Sequence, residues 1–340
     1  MPPQSTPDHI LQVGMGFWAS KTLLSAVELE LFSVLGDESL TADQIGDRLE
    51  LHARSRRDFL DALVSLNLLD RIGDGPQAVY RNTPDTATFL DKAKPSYVGG
   101  ILEMANARLY GFWDHLTEAL RTGKPQNEIK GGGDFFGALY ADEGRLEQFL
   151  RGMQGVQMGA FLALVEKVDF SSSMTLCDVG GANGALSGVI AQRHPHLSVT
   201  LFDLPQVVPV AERYLATLGV EDRVTVLGGD FFTDDLPSAD VLVMGNILHD
   251  WDEEQKKSLI GKAYKALNDG GRLIAIENVI DDARRENTFG LLMSLNMLIE
   301  LPGGFDYSGA QFDNWCRGAG FARTEVIGLA GPTSAAVAYK

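Results

Sequence analysis

Apolar residues in the second half of the chain gather into short runs divided by polar or helix-patterned stretches. The runs are MTLCDVGG (174–181), LSVTLFDLP (197–205), VTVLGGD (224–230), ADVLVMGNIL (239–248) and RLIAIENVI (272–280). Strands alternating with helices in this way predict a parallel sheet covered on both faces. The chain closes on ARTEVIGLAG and TSAAVAYK, separated by Gly-Pro. These two are too close together for a helical crossover, so a terminal antiparallel hairpin is expected.

The first half has a different rhythm. ILQVGMGFWASKTLLSAVELELFSVLG (10–36) reads as helices with a broad apolar face. TADQIGDRL, SRRDFLDALVSLNLL and DRIGDGPQAVYRNT then follow the helix–helix–hairpin order of a winged helix. This divides the chain into a winged-helix domain over 1–100, a helical connector over 101–165 and an α/β domain over 166–340. The connector contains a glycine-rich break, KGGGDFF (130–136), and then a stretch rich in Met and Phe. Phe135, Phe136, Met153, Met158 and Phe161 suit either plain core packing or the lining of an apolar pocket. Tyr110, Trp113, Phe17 and Trp18 pose the same question.

Composition narrows the function. A chain of 340 residues has room for two cores, and its net charge of −17 argues against a phosphate-binding surface. Arg54, Arg56 and Arg57 form the one basic cluster, and neighbouring acids nearly cancel it, so a DNA reader is not expected. Two cysteines, Cys177 and Cys316, provide no disulfide framework. Reduced thiols, polar first residues and no apolar run of spanning length together suggest a cytoplasmic protein without a membrane segment.

Candidate chemistry concentrates in residues 174–205. An apolar run ends on Asp178, a turn follows with Gly180, Gly181 and Gly184, and after a helix the next run closes on Asp203. A carboxylate at the tip of the second strand grips the ribose hydroxyls of an adenosine. The dinucleotide spacing G-x-G-x-x-G fails, because Val179 stands where its first glycine belongs. An acid ahead of the glycines repels a phosphate but welcomes an ammonium. The pattern favours S-adenosylmethionine.

LFDLPQVV, GGDFFTDDLP and GNILHDWDEEQ, in that order and spacing, resemble the small-molecule O-methyltransferases of the caffeate and acetylserotonin type. The resemblance implies a Rossmann-like seven-stranded sheet and an amino-terminal module that forms an intertwined homodimer and closes the partner's pocket. By motif, Gly180, Gly181, Gly184 and Asp178 pass the methionine end of the donor, and Asp203 with Leu204 holds the ribose. Asp230 and Phe231 contact the adenine, and Trp251 covers the donor. His249 is the general base, flanked by Glu277 and Asp306, while Asp250 is structural or a minor electrostatic aid. Tyr110, Trp113, Met153, Asn296, Met297 and Tyr307 are the expected acceptor contacts, with no metal and no nucleic-acid partner.

One segment departs from the family. Residues 303–308 read Gly-Gly-Phe-Asp-Tyr-Ser, so Tyr307 replaces the arginine of many relatives, and Glu300 stands where plant relatives have no acid. Two other readings follow. One is S-methylation of a thioether acid such as 4-methylthio-2-hydroxybutyrate, en route to dimethylsulfoniopropionate. There His249 would only position the acceptor, and Arg108, Tyr110 or Tyr307 would meet the carboxylate. The other is a non-catalytic winged-helix regulator. Carbon methylation by an iron-bearing site is disfavoured, since no histidine follows His249.

Overall fold

A computed structural model describes residues 5–133 and 135–340. They divide into two compact units, the first running to Gly111 and the second spanning Phe112–Lys340.

In the first unit, helices Gly16–Glu28, Leu31–Leu35, Ala42–Arg48 and Ala53–Ser65 pack on a three-stranded antiparallel sheet. Its strands are β1 (Leu40–Thr41), β2 (Leu69–Ile72) and β3 (Val79–Asn82), ordered β1-β3-β2. Thr41 starts its helix through a reciprocal capping box with Gln44. Val27, Leu31, Phe32, Ile45, Leu60, Leu63 and Tyr80 form the core. The basic cluster is neutralised within this unit: Arg56 pairs with Asp43 and Asp47, and Arg57 with Asp61. The leading helices leave Ile10, Leu11, Val13, Met15, Phe17 and Trp18 exposed.

The second unit is an α/β domain around a seven-stranded sheet ordered β6-β5-β4-β7-β8-β10-β9. The strands are β4 (Thr175–Val179), β5 (Ser198–Asp203), β6 (Val224–Gly228), β7 (Ala239–Gly245), β8 (Leu267–Glu277), β9 (Arg323–Gly328) and β10 (Ser334–Tyr339). All pairings among β4 to β8 are parallel, whereas β10 runs antiparallel to both β8 and β9. Strand parity builds two cores. Leu176, Leu201, Val241, Val243, Ile274 and Val337 face one layer of helices, and Cys177, Phe202, Leu242, Met244, Ala275 and Ala336 face the other.

Strand β8 begins earlier than its apolar run and stops at Glu277, leaving Asn278–Ile280 outside it. The helix Glu143–Lys167, capped by Asp142, carries Met158 and Phe161 into the core under β4 and β7, so packing accounts for those two side chains. No helix among the described residues is long and apolar enough to cross a membrane. Chain order reverses between β4 and β7, and the crevice beyond their carboxyl ends is where open α/β sheets take ligands.

Candidate active site

The turn after β4 is shaped for close approach. Gly180 has φ +69°, and a Cβ there would meet Ile247 at 2.3 Å. Ala182 follows, also left-handed. Gly184, at φ +85°, abuts Leu201 and Leu215, so its smallness serves helix packing and not ligand approach. The Asp203 carboxylate accepts backbone N–H groups from Ala182 at 2.8 Å and Leu204 at 2.7 Å, which fixes it at the tip of β5. Burial pushes it up to about 6, against the pull of those two bonds. Asp178 turns inward: one oxygen accepts the Ser187 hydroxyl at 2.8 Å, and burial raises it to about 7. Its place is behind the turn.

Aromatic rings wall the crevice. Trp251 lies edge-on to Phe232 at 4.6 Å and to Phe231 at 5.9 Å, and Phe136 stands 5.8 Å away. The indole N–H of Trp251 is buried without a hydrogen-bond partner among the described residues. Asp230 binds the Phe232 N–H at 2.8 Å, holding the start of this wall. Leu204 packs beside Leu146, Leu150 and Tyr140. Tyr140 is held well above the ordinary phenol range by burial and by the charges of Asp203 and Asp250. Its ring packs beside Phe136 and Phe149, which periodicity did not reveal.

His249 sits in a single 3₁₀ turn, Leu248–Asp250, just past β7. Glu277, the last residue of β8, clamps that turn by accepting the N–H groups of Leu248 at 3.0 Å and His249 at 3.3 Å. The Phe305 N–H reaches the His249 carbonyl at 2.8 Å, which brings in the loop carrying Asp306. A Cβ on Gly304 would come within 3.0 Å of that carbonyl, so the loop needs glycine there. Nδ1 of the imidazole faces Asp306 at 3.4 Å and Glu277 at 3.5 Å, and Nε2 faces Asp250 at 3.4 Å. Atoms of His249, Glu277 and Asp306 all lie within 4.8 Å of one another, so their titrations are coupled.

Burial alone would push His249 down. Glu277, Asp250 and Asp306 together outweigh it and hold the imidazole up to about 10. Burial in turn raises Glu277 to about 7 and Asp250 to about 6, against the pull of the imidazolium. Asp250 is thus a direct neighbour of the ring.

The expected acceptor contacts divide. Trp113 donates its indole N–H to Asn296 at 2.9 Å, and the Asn296 amide donates to Glu300 at 3.1 Å. Met297 is buried with Ile129, Phe135, Leu139 and Leu301. Met153 is half-buried. Tyr110 belongs to the first unit, where its hydroxyl lies 3.5 Å from the Phe17 carbonyl. Tyr307 requires a correction as an acceptor contact. It is 1% exposed, stacked on Phe312 and edge-on to Trp315. Asp306, Tyr307 and Ser308 are buried in succession, and the Tyr307 hydroxyl backs onto Glu277 and Asp306.

Residues 113–322 match the O-methyltransferase domain model, and 11–92 match the O-methyltransferase dimerisation domain. The chain belongs to the O-methyltransferase family. It is 41% identical over 98% of its length to the tetracenomycin polyketide synthesis 8-O-methyl transferase TcmO of Streptomyces glaucescens, covering 97% of that protein. It is 33% identical to acetylserotonin O-methyltransferase of Gallus gallus, over 94% of this chain and 93% of that one. Human N-acetylserotonin methyltransferase, solved with S-adenosylmethionine, superposes with a TM-score of 0.91 at 28% identity, covering 100% of this chain and 99% of that one. This chain is accordingly a methyltransferase that uses S-adenosylmethionine on small molecules. The fixed Asp203 carboxylate and the aromatic wall suit that donor.

Proposed function

We propose that this enzyme methylates a phenolic hydroxyl of a polycyclic aromatic acceptor, with His249 as general base. The arrangement that carries the reading is an imidazole at the sheet's switch point, held on Nδ1 by two buried acids. S-adenosylmethionine, when bound, supplies a methyl group on a sulfonium leaving group. The protein must then align the hydroxyl, exclude water and remove one proton. Glu277 and Asp306 fix the ring and stabilise the imidazolium that forms. Nε2, beside Asp250, is the nitrogen left to meet the acceptor. An imidazole held near 10 keeps its proton at neutral pH. A cationic donor in the same crevice lowers that affinity by like-charge repulsion, so binding of the donor readies the base.

Two relatives support the acceptor class: TcmO, and the 3-hydroxy-5-methyl-1-naphthoate 3-O-methyltransferase of Streptomyces sahachiroi, which is 33% identical. Phe136, Tyr140 and Trp113 supply apolar walls suited to fused rings. We also read the first unit as a winged-helix module that pairs two copies through the exposed Ile10–Trp18 face.

The test is a screen of phenols and thioether acids for donor-dependent gain of one methyl group by mass spectrometry, repeated with His249→Ala. A phenol should be methylated, and the variant should lose roughly 10²–10⁴-fold in turnover. Methylation of a thioether acid, with a loss of less than about tenfold in the variant, would overturn the base role.

A further inference from the structure

Lys256 lies on the helix Glu253–Ala266, which directly follows the His249 turn. The next residue, Lys257, is half-exposed and pairs with Glu253. Lys256 instead has no exposed surface at all. Lysine is almost never buried so fully unless it is paired. Its ammonium donates to the Trp251 carbonyl and stands 3.5 Å from the centre of the Phe305 ring. Trp251 closes the turn that holds His249, and Phe305 immediately precedes Asp306. The loop at Phe305 comes this close because it has glycines: a Cβ on Gly303 would meet the Asp252 side chain at 2.8 Å. One ammonium therefore pins together the two segments that present the imidazole and its acid.

Lys256 also faces the same acids as the imidazole. Burial pushes its ammonium down to about 8, against the opposing pull of Glu277, Asp250, Asp306 and Asp252. Glu300 adds its charge on Asp250, and the Tyr307 hydroxyl faces Glu277 and Asp306 from behind. His249 and Lys256 are thus two cations drawing on one set of carboxylates.

We propose that Lys256 is a positioning residue for methyl transfer: its ammonium anchors the His249 turn to the Asp306 loop and so keeps Asp306 against the imidazole. The proposal rests on His249 as general base. Two variants separate its parts. Lys256→Gln keeps an N–H for the Trp251 carbonyl but carries no charge, whereas Lys256→Met loses both.

The experiment follows ¹³C-labelled histidine resonances against pH in the full chain loaded with S-adenosylhomocysteine. Six histidines make assignment by omission practical, and the His249 signal is the one absent from His249→Gln. In both Lys256 variants the loosened loop should draw Asp306 from Nδ1, so the His249 midpoint should fall by roughly half a unit to one unit, more in Lys256→Met. The pH limb of turnover should move to lower pH with it, while donor affinity by calorimetry stays unchanged. Lys256→Met should in addition lower kcat at every pH. A midpoint unmoved in the variants overturns the proposal, since a packing role could lower activity but not shift that titration. If Lys256→Met does not fold, Lys256→Gln decides alone. Failure of the base reading looks different: the wild-type turnover limb would then survive in His249→Gln.

Discussion

Glu277→Gln probes the acid cluster with little change of shape. The glutamine carbonyl can still accept the N–H groups of Leu248 and His249, so the turn should keep its clamp. What disappears is a negative charge 3.5 Å from Nδ1. At that spacing and an effective dielectric of about 20, the lost attraction is at most about 5 kcal/mol. Asp306 and Asp250 remain at 3.4 Å and share the load. A net weakening of roughly one to two units in the imidazole's proton affinity is therefore expected. The consequence differs with pH. The limb of the turnover profile should move to lower pH by that amount, because a weaker base is free of its proton sooner. The plateau above the limb should fall by about 3- to 10-fold, because a half-transferred proton feels about half the loss of basicity. At low pH the two effects oppose, so a single assay near neutrality would mislead. The assay is kcat against pH from 5 to 10 at saturating donor, with donor affinity measured alongside (the pH range spans roughly the ordinary and shifted histidine values). A limb that stays in place, or moves alkaline, would refute the role given to Glu277.

Further expectations follow from the donor side and the first unit. Asp203→Asn can accept only one of the two backbone N–H groups that Ala182 and Leu204 now donate, and it loses the charge that meets the ribose. Donor affinity by calorimetry should fall by roughly 100-fold, and an unchanged affinity would mean the ribose sits elsewhere. Asp178 has its folded value raised to about 7 from an ordinary 3.8, so the native state holds that proton more tightly than the unfolded chain. Stability should then fall as pH rises between about 4 and 7 and level off above. Asp178→Asn should flatten this dependence by up to about 4 kcal/mol in denaturant titrations; parallel curves for the two proteins would contradict it. Phe17 and Trp18 are 52% and 62% exposed, and replacing both with Ser should convert a dimer into a monomer by light scattering.

The sheet was legible because buried parallel strands leave compact apolar runs, and β4 to β7 coincide with them. The hairpin β9–β10 followed from its Gly-Pro separator. The edge of β8 was not legible, since backbone pairing to β7 carries it back through polar residues to Leu267. At the site, Asp203 and His249 drew notice because one closes β5 and the other follows shortly after β7. Side-chain direction could not be read. Asp178 takes the nearest buried donor, Ser187, and Tyr307 falls on the core side of its loop, choices set by partners distant in sequence. Tyr140 and Lys256 went unnoticed for the same reason. A tyrosine after two phenylalanines and a lysine in a charged helix look ordinary until the fold encloses them.

The central claim is that the donor lies across the carboxyl ends of β4 and β5, with its reactive carbon facing His249. A crystal structure with S-adenosylhomocysteine tests it most directly. The account predicts ribose hydroxyls on the Asp203 carboxylate, the adenine beside Phe231, and the sulfur directed to Nε2 of His249. A nucleoside seated away from Asp203, or a sulfur turned from the imidazole, would contradict it.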